Sequence, residues 1–105
     1  MSTTEFLKKL PSAVKQDVID GMEGTVQLNI SEPVYLTLKD GNLSVEVGEA
    51  DAPDVTLTVS DDNLIKLIKG DLGGVMAYMT GKLQVDGDLM LAKQLPDFFD
   101  SRKLA

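Results

Sequence analysis

Apolar positions recur at helical spacing near the N-terminus, alternate strictly through the middle, and return to helical spacing after residue 60. Ser2 and Glu5 have the S-x-x-E spacing of a helix start, in which each side chain satisfies a backbone amide of the first turn. Phe6, Leu7 and Leu10 supply an apolar stripe behind it, and Pro11 suits the first position of a fresh helical turn. Val14, Val18 and Ile19 continue the stripe, with Gly21 as its stop. This spacing predicts one kinked helix or two short ones over residues 3 to 21.

The period then drops to two. Val26, Leu28 and Ile30 alternate with Gln27 and Asn29. Val34, Leu36 and Leu38, then Leu43, Val45 and Val47, then Val55, Leu57 and Val59 do the same. Such alternation marks strands packed on one face and wet on the other. Asp40-Gly41 is a strong hairpin signal, Ser31-Glu32-Pro33 connects the first pair, and Glu49 to Pro53 forms a longer acidic loop. Strands joined this closely are expected to run antiparallel.

After Ser60, Asp61 or Asp62 is expected to cap a helix whose buried stripe is Leu64, Ile65, Leu67 and Ile68, ending at Gly70. Asp71 is expected to open a second short helix with Val75, Met76 and Met79 inside, ending at Gly81. Leu83 and Val85 make a fifth strand. Asp86-Gly87-Asp88 turns the chain, and Asp88 is placed to cap a last helix carrying Leu91, Leu95, Phe98 and Phe99, with a break at Pro96. The order of helix, four strands, two helices, strand and helix predicts an α+β domain over residues 1–105. It has two layers: a five-stranded, mainly antiparallel sheet and helices covering one face.

Composition narrows the chemistry. The 105 residues carry a net charge of −7 and contain no cysteine, histidine or tryptophan. Disulfides, a thiolate nucleophile and the commonest bases and metal ligands are therefore excluded. The acidic balance, with Arg102 the only arginine, argues against nucleic acid as a partner and against docking through a polybasic patch. No run approaches the ~20 apolar residues of a membrane span, so stable membrane insertion is not expected. MSTTEFLKKL lacks the pattern of a secretory signal, which leaves a cytoplasmic location as the default. The Asp61-Asp62 and Asp86-Gly87-Asp88 pairs lack calcium-loop spacing and read as caps and turns. No metal, no cofactor and no catalytic constellation are expected.

The segment GDLGGVMAYMTGKLQVDGDLMLAKQL, from Gly70 to Leu95, resembles the most characteristic stretch of the sterol carrier protein 2 (SCP-2) family. The likeness is strongest from Pro53 to Leu95. It rests on the strand Asp54 to Val59 with Asp61 and Asp62 after it, the helix ending at Gly70, the Gly81-Lys82-Leu83 run, the alternating strand and Gly87. The resemblance implies a hydrophobic tunnel between sheet and helices, and non-enzymatic carriage of an apolar lipid: a fatty acid, an acyl-CoA or a sterol-like molecule. Family members often carry glutamine before Gly-Lys-Leu, facing the tunnel, where this chain has Thr80. Eukaryotic members often end in a peroxisomal tripeptide, which Lys103-Leu104-Ala105 is not, so a stand-alone, prokaryote-like member is expected.

Candidate lipid-binding residues follow from the stripes and the resemblance together. Leu64 and Ile68 come from the third helical segment; Val75, Met76, Met79 and Thr80 from the next, with Thr80 as the polar contact. Leu83 and Val85 come from the fifth strand, and Met90, Leu91, Leu95 and Phe98 from the last helix. Methionine is flexible and polarizable and suits a surface that accepts variable shapes. Gly73-Gly74 reads as a loop with a loosely formed helix start, or else as a place where backbone approaches a guest or another helix closely, and Tyr78 offers a hydroxyl beside the methionines. Phe98 and Phe99 read equally as a lid or as a clamp on the core. The alternative is an accessory protein-interaction or dimerisation module with a closed core, in lipid or quinone metabolism, for which a homodimer is an allowed state. Replacing Met79 by Trp should overpack a closed core but be tolerated by a tunnel.

Overall fold

The computed structural model describes residues 2–104. Helix α1 spans Thr3–Lys8, and the Ser2 hydroxyl accepts from the Glu5 amide at 3.1 Å, as the capping pattern requires. Pro11 sits in the first positions of a 3₁₀ turn, Leu10–Ala13, and helix α2 follows at Gln16–Ile19. Leu7, Leu10, Ala13 and Ile19 are buried, and this N-terminal layer packs against one end of the sheet.

Five strands form one sheet in the order β3-β2-β1-β4-β5, with β1 at Gly24–Asn29, β2 at Val34–Lys39, β3 at Asn42–Val47, β4 at Val55–Val59 and β5 at Leu83–Gly87. The β2–β3 hairpin closes through Asp40 and Gly41 at φ 54° and 75°. Two consecutive positive φ values make the tight reverse turn that matches strand twist. Neighbouring strands are antiparallel except β1 and β4, which run parallel in the register Val26↔Val55 to Asn29↔Thr58. The acidic loop is therefore not a local hairpin. It carries the chain from the β3 edge across to the far side of β1.

Gln27 explains how that crossing is held. By alternation it faces away from Val26 and Leu28, on the side expected to be wet, yet it is buried. Its Nε2 donates to the Gly48 carbonyl at 3.1 Å, and its Oε1 accepts from the Ala50 amide at 2.7 Å. A buried amide with both ends partnered fastens the crossing segment to the outer face of the sheet.

Helices α3 (Asp61–Lys69), α4 (Gly74–Met79) and α5 (Leu89–Gln94) follow, α4 and α5 against the β4–β5 end of the sheet and α3 behind the chain that leaves α5. Ser60, not Asp61 or Asp62, caps α3: its side chain accepts from the Asn63 amide at 3.2 Å. Asp61 turns back instead and accepts from the amide of Ser31 at 2.9 Å and from its hydroxyl. Gly70 ends α3 in the left-handed region at φ 84°, where glycine carries no Cβ penalty. Gly73 rather than Asp71 precedes α4, and Asp88 caps α5 by accepting from the Leu91 amide at 3.1 Å.

The last helix runs into a 3₁₀ turn at Leu95–Phe98. Beyond it the chain is clamped to the N-terminal layer: Val14 and Phe99 form a bridge, Lys15 donates to the Phe98 carbonyl at 2.7 Å, and Asp100 donates to the Ala13 carbonyl at 2.8 Å. Phe98 is fully buried and meets Phe99 edge to face, with ring centroids 6.2 Å apart. These phenylalanines act as a clamp, not as a lid.

The Ser31–Asp61 contact has a pH consequence. Hydrogen bonds from the Ser31 hydroxyl and amide favour the ionised carboxylate and hold Asp61 below its ordinary value of 3.8. A depressed folded-state pKa adds stability that is fully present above the unfolded value and is lost as pH falls through the folded one. Asp61→Asn should therefore be less stable than the parent at pH 7; the gap should begin to narrow near the ordinary value of 3.8 and close only below the depressed folded-state pKa, where both carry a neutral group. Urea midpoints measured from pH 7 to pH 2 check this; a gap that widens on acidification would contradict it.

Candidate functional site

The two halves of the helical layer treat the sheet differently. At the β2–β3 end, the N-terminal helices lay Leu7, Leu10 and Ala13 into a solid core. At the β4–β5 end, α3, α4 and α5 leave a cavity of about 530 Å³. That volume lies within the range of small-molecule sites, ~300–1,000 Å³.

The floor of the cavity is aliphatic. Leu57 and Val85, opposite each other on β4 and β5, line it together with Leu83. Leu64, Leu67 and Ile68 enter from α3 at positions one helical turn apart. Leu72, Gly73 and Gly74 form a wall between α3 and α4. The glycines carry no side chain, so backbone borders the space there. Leu95 and Pro96 close the side below α5.

The mouth is marked by residues that line the cavity and still face solvent. Val75 is 60% exposed, Leu89 55% and Tyr78 50%. The gap thus opens between α4 and the start of α5. Lys93, in the last turn of α5, and Asp97, in the 3₁₀ turn that follows, continue the exposed rim of the lining away from that opening, and with Tyr78 they are its ionisable groups. Among the described residues the interior has no comparable polar side chain. A cavity of this size could not remain closed and dry: at about 24 cal/mol per Å³ an empty void would cost ~13 kcal/mol, as much as the stability of a whole domain.

Six of the sequence candidates line this space: Leu64, Ile68, Val75, Leu83, Val85 and Leu95. Six lie elsewhere. On α4, Met76 (61% exposed) and Met79 (75%) point to the outside, and Thr80 spends its hydroxyl on its own helix, donating to the Met76 carbonyl at 2.8 Å. Thr80 therefore aims no polar group at the cavity. Ala77, fully buried, is the residue α4 turns to the core, which rotates Val75 and Tyr78 toward the cavity and the methionines away. On α5, Met90 is 63% exposed and Leu91 is buried toward the sheet, while Phe98, in the 3₁₀ turn that follows, is buried against the N-terminal layer. The lining stripe is the adjacent one, Leu89, Ala92, Lys93, Pro96 and Asp97, at i, i+3, i+4, i+7 and i+8.

The sequence candidates omit Leu57, Leu67, Leu72, Leu89, Ala92, Lys93, Pro96 and Asp97 from this lining. The stripe on α5 was visible as a period, but a mixed Leu-Ala-Lys-Pro-Asp face reads as solvent-facing. With Met79 on the outer surface, a Met79→Trp exchange does not distinguish a hollow interior from a solid one.

Comparison with known proteins matches this architecture. The sequence pattern described as the SCP-2 sterol transfer family covers residues 4–100. Peroxisomal multifunctional enzyme A of Dictyostelium discoideum is 37% identical over 70 residues, covering 66% of this chain and 16% of that protein. Hydroxysteroid dehydrogenase-like protein 2 of Xenopus tropicalis is 31% identical over 96 residues, covering 87% of this chain and 23% of that protein. The chain thus spans less than a quarter of the length of these two relatives. Among solved structures, palmitated SCP2L2 of Aedes aegypti superposes with a TM-score of 0.69 at 28% identity, covering 92% of this chain and 93% of that one.

Proposed function

Because the chain belongs to the SCP-2 sterol transfer family, we propose that it binds and carries a single-chain apolar lipid in the cavity between β4–β5 and helices α3 to α5. The observation that carries this reading is the aliphatic space of about 530 Å³ with its polar residues confined to the rim. The Aedes aegypti relative, described as palmitated, supports a fatty acid as the guest. Acyl-CoA, through its acyl chain, and sterol-like molecules, with a ring system in place of the chain, are the other apolar guests this reading admits.

The energetics suit carriage. Each buried methylene contributes about 0.8 kcal/mol, so a chain of ~14 carbons yields roughly 11 kcal/mol gross. Association and ordering offset part of it and leave a micromolar affinity. One methylene more or less changes little, so chain-length selectivity is weak. The reading assigns the chain no chemistry of its own. Tyr78, Lys93 and Asp97, exposed at the rim, do not form a buried acid–base pair. A closed-core interaction module is disfavoured by the cavity itself.

Displacement of a fluorescent fatty acid, with native mass spectrometry of freshly purified protein, tests the proposal. Palmitate should compete saturably at micromolar concentration. No competition at tens of micromolar, together with no co-purifying lipid, would refute it.

A further inference from the structure

Resting on that carriage reading, we infer that Lys93 is the specificity-determining residue that selects a carboxylate head group over a neutral one, with Asp97 opposing it. The lining divides by polarity: the floor is aliphatic, and Tyr78, Lys93 and Asp97 sit exposed at the rim. A charged head cannot enter the aliphatic floor without a large desolvation cost, so an amphiphile enters tail first and leaves its head at that rim.

Lys93 lies in the last turn of α5, and Leu95 continues the helical backbone at φ −50°, ψ −49°. Lys93 and Asp97 therefore share one face, one turn apart, at the cavity edge. Neither enters an ion pair among the described residues, so the ammonium remains available to a guest. With a net charge of −7 the protein as a whole repels anions, and Lys93 is the cation of the lining that offsets this locally. Its ammonium can donate to the oxygens of a carboxylate held at that edge. Asp97 disfavours the same carboxylate by like-charge repulsion, so the two rim charges act on head-group choice with opposite sign.

The experiment compares palmitate with hexadecanol, equal in chain length, as competitors of a neutral fluorescent reporter on the full chain. Lys93→Met should weaken palmitate about fivefold and leave hexadecanol within twofold, as expected for one partly exposed charge pair. Lys93→Arg should retain palmitate affinity. Asp97→Asn should tighten palmitate without affecting hexadecanol. Lys93 is exposed, so the variants should keep the parent melting temperature. Equal effects of Lys93→Met on both competitors, or none on palmitate, would overturn the assignment while leaving carriage intact. Failure of both competitors on the parent protein would overturn carriage and this assignment with it.

Discussion

Gly87→Ala should lose about 3 kcal/mol or more of folding stability, a large part of what a domain of this size possesses. Gly87 ends β5 at φ 116°, a conformation that side-chain-bearing residues rarely adopt. A Cβ there would collide with the carbonyl oxygen of Asp54 and lie 2.9 Å from the Val55 Cα. These are backbone atoms and cannot swing aside. Asp54 is also tied on every side. Its amide donates to the Thr25 carbonyl at 2.9 Å, its carboxylate accepts from the Thr25 amide at 2.7 Å, and its carbonyl accepts from the Asp88 amide at 2.8 Å. Relieving the collision would pull apart the entry of β4, its parallel pairing with β1 and the start of α5 together. Urea denaturation followed by circular dichroism measures the loss. A midpoint within error of the parent would show that the β4–β5 end yields more easily than this geometry allows.

Ala92→Trp should abolish palmitate binding, by more than a hundredfold, and leave the protein folded. Ala92 stands on the α5 stripe that borders the cavity and is partly buried. An indole at that position extends into open space, not into packed side chains, so the overpacking penalty of a solid core does not apply. The ring occupies volume that the acyl chain needs. Excluding about four methylenes removes roughly 3 kcal/mol of burial, which is more than two decades in affinity. Met79→Trp, on the outer face of α4, is the control and should change neither binding nor stability appreciably. Titrations of both variants with a fluorescent fatty acid, alongside their thermal melts, separate the outcomes. An Ala92→Trp protein that still binds palmitate at parental affinity would place the guest elsewhere.

Much of the fold was legible because it rests on local chemistry. Asp40-Gly41 dictates a two-residue reverse turn whatever surrounds it, and the observed φ values are those of that turn. Gly70 and Asp88 punctuate helices through one residue's own geometry or hydrogen bond. Alternation from Val26 to Val59 identified the strands and their buried face, except at Val47, which is 50% exposed at the end of the edge strand β3. Asp61 shows the limit. Its position suited a cap, but Ser60 did that work and Asp61 was drawn to Ser31, thirty residues away. Two neighbouring oxygens competed for the role, and only the approach of the β1–β2 connection settled it.

The sequence by itself determined the identity and order of the elements, the inward faces of the strands and the absence of histidine and cysteine chemistry. All of these follow from short-range periodicity and composition. Only the tertiary structure decided that β1 and β4 pair in parallel, that α4 turns Ala77 inward and its methionines outward, and that α5 borders the cavity with a mixed face. The physical reason is that a hydrophobic stripe records avoidance of water, and packed core and hollow interior avoid it equally. Which of the two a stripe meets depends on how closely the opposing layer approaches. That distance is set by contacts far apart in the chain, such as the Val14–Phe99 clamp.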